Sequence, residues 1–195
     1  MKNTYLKLQN AKLVLTIIVT ILICACANKI SNQKANAEGF KAIENELDSK
    51  FGDNAYYTDL TIIYDKSIGN MINVTVTDAP ESLKMEQWNS AQGTWKQSSE
   101  IVLEVPQGTK AADYMFQLDD QINLTKLGEL VEKSIEQLTN EKDIKNPALD
   151  MAFIKFPKNG DASKAEYSVK LEPEYGGTSF TFYYKISGEL IKMDY

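Results

Sequence analysis

WNSAQGTWK (residues 88–96) and YYKISGELIK (residues 183–192) are two strand–turn–strand stretches whose glycines, Gly93 and Gly188, stand 95 positions apart. Each sets turn residues between extended runs, the pattern of an antiparallel hairpin. Val74 and Val169 are separated by the same 95 positions, and each sits mid-way along an alternating run. In the first run Ile72, Val74 and Val76 share one side; in the second Tyr167, Val169 and Leu171 do. Phe180, Phe182 and Tyr184 are aligned on this reading with Leu83, Met85 and Gln87. Ile62 and Phe153 lie 91 apart, so the match between halves needs small insertions.

Upstream of each set of strands the hydrophobic period changes from two to between three and four. Phe40, Ile43, Leu47 and Phe51 recur at helical spacing, with charged residues on the other faces and Gly52 as a stop. Leu124, Leu127, Val131, Ile135 and Leu138 form the second such series, with Asn123 or Asp120 as N-cap. Strands are expected over 56–64, 71–77, 83–88 and 95–105, then over 151–156, 167–171 and 180–184. The expected fold class is α+β: two tandem helix-plus-antiparallel-sheet units, αβββ or αββββ, duplicated over 37–105 and 106–195. Two unrelated helix-then-meander segments are the alternative, since that order is common.

The first 36 residues read differently. Lys2, Lys7 and Lys12 precede the apolar run LVLTIIVTILICAC (residues 13–26), and no acid occurs before Glu38. The run is too short for a spanning helix, which needs about 20 apolar residues, and has the length of a signal-peptide core. Ile23-Cys24-Ala25-Cys26 resembles the lipobox of bacterial lipoproteins: an aliphatic residue, two small ones, and the cysteine that takes the lipid. Cys24 fits poorly as acceptor because Ile23 would stand where a small residue is required. The resemblance implies a signal peptide over 1–25, lipidation with palmitate-type chains on Cys26, and a flexible tether over 26–36. An uncleaved signal anchor and a plain secretory signal are the other readings. In Lys, Asn and Ile usage the chain resembles Bacteroidetes lipoproteins, whose surface-export signal is an acidic cluster after the cysteine. None is present here, so the expected place is the outer membrane of the cell envelope, facing the periplasm.

Composition narrows the chemistry. All 21 basic residues are lysine, and there is no histidine. Guanidinium clamps, imidazole bases, histidine metal sites and the usual catalytic triads are therefore excluded. Cleavage before Cys26 leaves 18 lysines against 27 acids, a formal charge of −9, which argues against nucleic acid or anionic headgroups as partners. The one cysteine left is the lipidated one, which removes thiolate chemistry and intrachain disulfides. Asp119-Asp120 precedes a helix and reads as a cap; Glu172 and Glu174 flank Pro173 in a turn. No catalytic residue, metal ligand or cofactor motif is assigned.

The tandem helix-plus-sheet order, with Gly93-Thr94-Trp95 and Gly188-Glu189-Leu190 in matching turns, resembles PepSY-type domains and the tandem architecture of the beta-lactamase inhibitory protein. The resemblance implies a non-catalytic, exported, protein-binding or inhibitory module with an envelope protein as partner. If Leu83, Met85, Phe180 and Phe182 face the helices, alternation turns Trp88 and Tyr183 outward as large aromatics on a wet face. Trp88, Tyr183 and Trp95 are the candidate partner-binding residues, with the face of Trp95 and of Ile63 left open by the strand register. A periplasmic small-molecule or lipid carrier is the alternative, and a hydrolase using carboxylates alone is a third reading.

Overall fold

The computed structural model describes residues 30–195; the expected signal peptide and Cys26 lie outside the described residues. Helix α1 (Ala37–Phe51) begins where the Asn36 side chain accepts from Gly39 N at 2.9 Å, and ends at Gly52, whose N–H reaches Asp48 O. Helix α2 (Leu124–Lys142) is capped by Asn123, whose side chain accepts from Lys126 N at 2.8 Å. Asp119 turns the loop ahead of it, accepting from Gln121 N and Ile122 N. The strands are β1 (Tyr56–Asp65), β2 (Gly69–Thr77), β3 (Lys84–Ala91), β4 (Thr94–Val102), β5 (Ala148–Lys155), β6 (Glu166–Glu172), β7 (Phe180–Lys185) and β8 (Leu190–Asp194).

All eight join one antiparallel sheet in the order β4-β3-β2-β1-β5-β6-β7-β8. β1 and β5 meet at the centre, with Leu60 opposite Ile154 and Ile63 opposite Met151, so the sheet runs unbroken across the boundary expected between residues 105 and 106. Leu60, Ile62, Ile72, Val74, Ala152, Ile154, Val169 and Phe182 form one core with Phe40, Ile43 and Leu47 of α1 and Leu127, Val131 and Leu138 of α2. The helices therefore cover one face of the sheet, as period-two burial on a single side demands.

Where the helices meet, their backbones touch: a Cβ on Gly128 would sit 2.5 Å from Asn36 O. Buried Glu44 reaches from α1 to the start of α2, accepting from Leu124 N at 2.6 Å and from Lys41 Nζ at 2.6 Å. One of the free N–H groups of α2 thus gains a charged acceptor from the other helix. Two tyrosines tie α2 down to the sheet. Tyr167 OH accepts from Asn123 N and donates to Asn123 O, and Tyr184 OH shares a 2.8 Å hydrogen bond with Ser134 Oγ.

Two expectations need correction. Leu83 and Met85 do not share the helix-facing side with Phe180 and Phe182. Val74 pairs with Trp88 and Val76 with Glu86, which puts Trp88 on the core side and turns Met85 to the other. There Met85 joins Ala111 and Met115, with Tyr56, Leu83 and Leu103, in a separate cluster. The chain between β4 and α2 supplies this cover, so Met85 is buried without facing a helix. By register Phe182, which pairs with Val169, corresponds to Trp88 and not to Met85.

The second concerns the tether expected to run to residue 36. From residue 30 onward it is packed against the fold: Ile30 is 3% exposed. The Asn70 side chain donates to Ile30 O at 3.1 Å and Gln33 O at 2.7 Å, and Asn70 N donates to Ser31 O. A buried amide at the end of the β1–β2 turn needs acceptors, and residues 30–33 provide them.

Candidate interaction surface

The face of the sheet away from the helices is where side chains of unlike character meet without a covering element at the centre. Alternation along β1 sends Ile62 inward and Thr61 and Ile63 to this face. Ile63 stands opposite Met71 on one side and Met151 on the other. In the next row Thr61 stands between Asn73 and Phe153, and the row continues through Ser168 to Tyr183 and Lys192. Ile63, Met71, Met151, Phe153 and Tyr183 are all partly exposed, whereas Ser168 is fully covered between Phe153 and Tyr183.

Paired charges border this apolar centre. Lys170 Nζ lies 2.7 Å from Asp150 and 3.6 Å from Glu172, and the Asp150 hydrogen bond holds the Lys170 ammonium above the ordinary lysine range. Lys192 Nζ sits 2.6 Å from Asp194 and 4.7 Å from the centre of the Tyr183 ring. Lys155 and Glu166 form a further pair at 3.2 Å. Neutralised charge around thioether and aromatic side chains suits contact with another protein surface better than capture of a small anion.

Of the three residues picked from the sequence, only Tyr183 lies on this face. Trp88 and Trp95 come together on the helix side, at the end of α1. Their rings lie edge-on to Phe51 at 5.9 and 5.4 Å, and Lys50 Nζ lies 4.0 Å from the Trp88 ring centre. The Trp88 indole N–H donates to Glu86 at 2.7 Å. This cluster fastens the β3–β4 hairpin to the helix layer. Trp88 is thus corrected from an outward aromatic to a packing residue.

Phe153, Met151 and Met71 were missed as surface residues. Residues 151–156 are almost continuously apolar, so no alternation signals which side faces water. Ala152 takes the core position there because Phe153 is turned away.

The tyrosines that enter the core are held neutral. Burial pushes Tyr167 up to about 12 and raises Tyr57 and Tyr184 as well. The clefts lie at the rims. One of about 320 Å³ opens between Phe51, Thr77 and Lys84, and another of about 480 Å³ lies under residues 31–35 beside Ile68 and Ile135. Among the described residues no three Asp, Glu, Cys or His side chains converge as metal ligands, and no helix is long and apolar enough to cross a membrane. Glu174, one of the turn acids, accepts from the Asn146 amide at 2.7 Å. Protein-family models, curated proteins and solved structures were compared with the chain, and none matches it.

Proposed function

We propose that this chain is a bacterial envelope lipoprotein, acylated on Cys26 after loss of residues 1–25. It serves there without catalysis, as a binding or inhibitory module for another envelope protein. The reading is carried by one observation: both helices pack on one face of an eight-stranded sheet, and the opposite face holds Ile63, Met71, Met151, Phe153 and Tyr183 partly exposed within paired charges. Broad sheet faces of this kind supply aromatic and methionine contacts at protein interfaces. The absence of His and Arg from the sequence, and the single cysteine left after cleavage, support a role that needs no reactive side chain.

The same reading takes the fold as a duplicated αββββ unit of the PepSY-like or beta-lactamase-inhibitory-protein-like kind. Its support is the element order, helix then four strands, twice over, with the first strand of each half meeting at the centre. Val74 and Val169 hold like positions in β2 and β6, and Gly93 and Gly188 both adopt positive φ in the outer hairpins.

The test is photo-crosslinking in living cells, with p-benzoylphenylalanine at Phe153 or Tyr183 and, as control, at Glu136 on the exposed side of α2. The expected result is the same covalent partner from both sheet positions and none from Glu136. Adducts from Glu136 alone, or none from the sheet, would refute the assignment.

A further inference from the structure

Residues 30–33 are fixed to the β1–β2 turn by Asn70, and a Cβ on Gly69 would sit 2.1 Å from Ser31 O. The chain therefore enters the fold at one defined end of the sheet. Four residue steps separate Cys26 from Ile30, and fully extended they span at most roughly 14 Å. With a lipid on Cys26, that end of the sheet lies next to the headgroups.

The side chains gathered there have interfacial chemistry. Of the seven large apolar or aromatic side chains exposed among the described residues, four are at this end: Tyr64 (36%), Ile68 (37%), Tyr175 (89%) and Tyr195 (78%). Lys66 Nζ donates to Glu174 O at 3.3 Å, joining the β1–β2 turn to the loop that carries Tyr175. Tyr195 packs on Phe180 at the far margin of the same loop, and Lys142 Nζ lies 5.7 Å from its ring centre. Ile101 and Val102, by contrast, sit beside Lys84 at the opposite end. Two of the acids at this end are hydrogen-bonded within their turns or to the next loop: Asp65 accepts from Ser67 N and Ile68 N, and Glu174 from Asn146. Tyrosine with lysine is the combination that settles at the boundary between headgroups and acyl chains.

We propose that this end of the domain rests on the lipid surface, with Ile68 and Tyr175 entering the headgroup region. The proposal depends on acylation of Cys26 as stated above. The strands then stand away from the bilayer, and the ten residues of β1 lift the far turns by about 33 Å at ~3.3 Å per residue. The uncovered sheet face points sideways along the membrane, towards neighbours in the same envelope layer.

After cleavage no thiol other than the acylated Cys26 remains, so single introduced cysteines are labelled selectively. Ile68→Cys, Tyr175→Cys and, at the far edge, Ser99→Cys are made in the full acylated protein and labelled with an environment-sensitive fluorophore. Each is reconstituted in zwitterionic phosphatidylethanolamine/phosphatidylcholine vesicles containing headgroup-level spin-labelled lipid. The expected result is a blue shift and several-fold stronger quenching at positions 68 and 175 than at 99. Vesicle flotation of the same samples reads the anchor separately. Protein that floats but shows equal or no quenching at the three sites overturns the orientation alone. Protein that does not float overturns the anchor and this inference with it.

Discussion

Replacing Glu44 by alanine removes the carboxylate by which α1 caps the start of α2. The Leu124 N–H would be left buried without an acceptor, which costs about 1–3 kcal/mol. Loss of negative charge at a helix N-terminus adds ~0.3–1 kcal/mol. The Lys41 pair contributes little beyond this, because Lys41 is about half exposed and its charge is screened. The expected total is roughly 1.3–4 kcal/mol, which at a urea slope of about 2 kcal/mol/M lowers the unfolding midpoint by ~0.7–2 M. Glu44→Gln keeps an acceptor in place and should lose about 1 kcal/mol. Urea titration followed by far-UV circular dichroism measures both, with Glu129→Ala, which breaks an exposed helix pair, as the control. A Glu44→Ala midpoint no lower than that of Glu129→Ala would refute the idea that the two helices are joined through this carboxylate.

Gly128→Ala drives a methyl into the Asn36 carbonyl and should destabilise by ~1–3 kcal/mol, read as a lower melting temperature. Buried Tyr57, Tyr167 and Tyr184 hold their protons more tightly folded than unfolded, so their stabilisation is complete below pH 10 and is lost as pH rises towards 12. Urea midpoints taken from pH 8 to 12 should fall accordingly, and Tyr167→Phe should flatten the fall while removing about 1–2 kcal/mol at neutral pH. Trp88→Ala should lose ~2–3 kcal/mol through its contacts with Phe51, Lys50 and Glu86, whereas Tyr183→Ala should stay within about 1 kcal/mol of the parent. Equal losses in a urea titration would contradict the faces assigned to the two aromatics.

The helices were legible because their signals are local. Phe40 to Phe51 repeats on one stripe, Asn123 caps within three residues, and Gly52 supplies the positive φ at which α1 stops. The strands were legible as runs, and alternation grouped Tyr167, Val169 and Leu171 on one side, where all three are buried. The side of Trp88 was not, because a strand's face follows its register, and a one-residue difference reverses every side chain. Only the pairing of β3 with Val74 and Val76, and the cover that residues 103–115 give Met85, decided it.

Phe153 faced outward for a similar reason, its neighbours Ala152 and Ile154 having filled the core from the central β1–β5 pairing. Residues 30–36 looked like linker because they are polar and aperiodic, and they became part of the fold through hydrogen bonds from an asparagine 40 positions away. By itself the sequence determined the residue chemistry on hand, with no imidazole and no guanidinium, and the local elements. The tertiary structure decided which side chains share a face and which end of the sheet receives the chain, since both depend on contacts between residues far apart along the backbone.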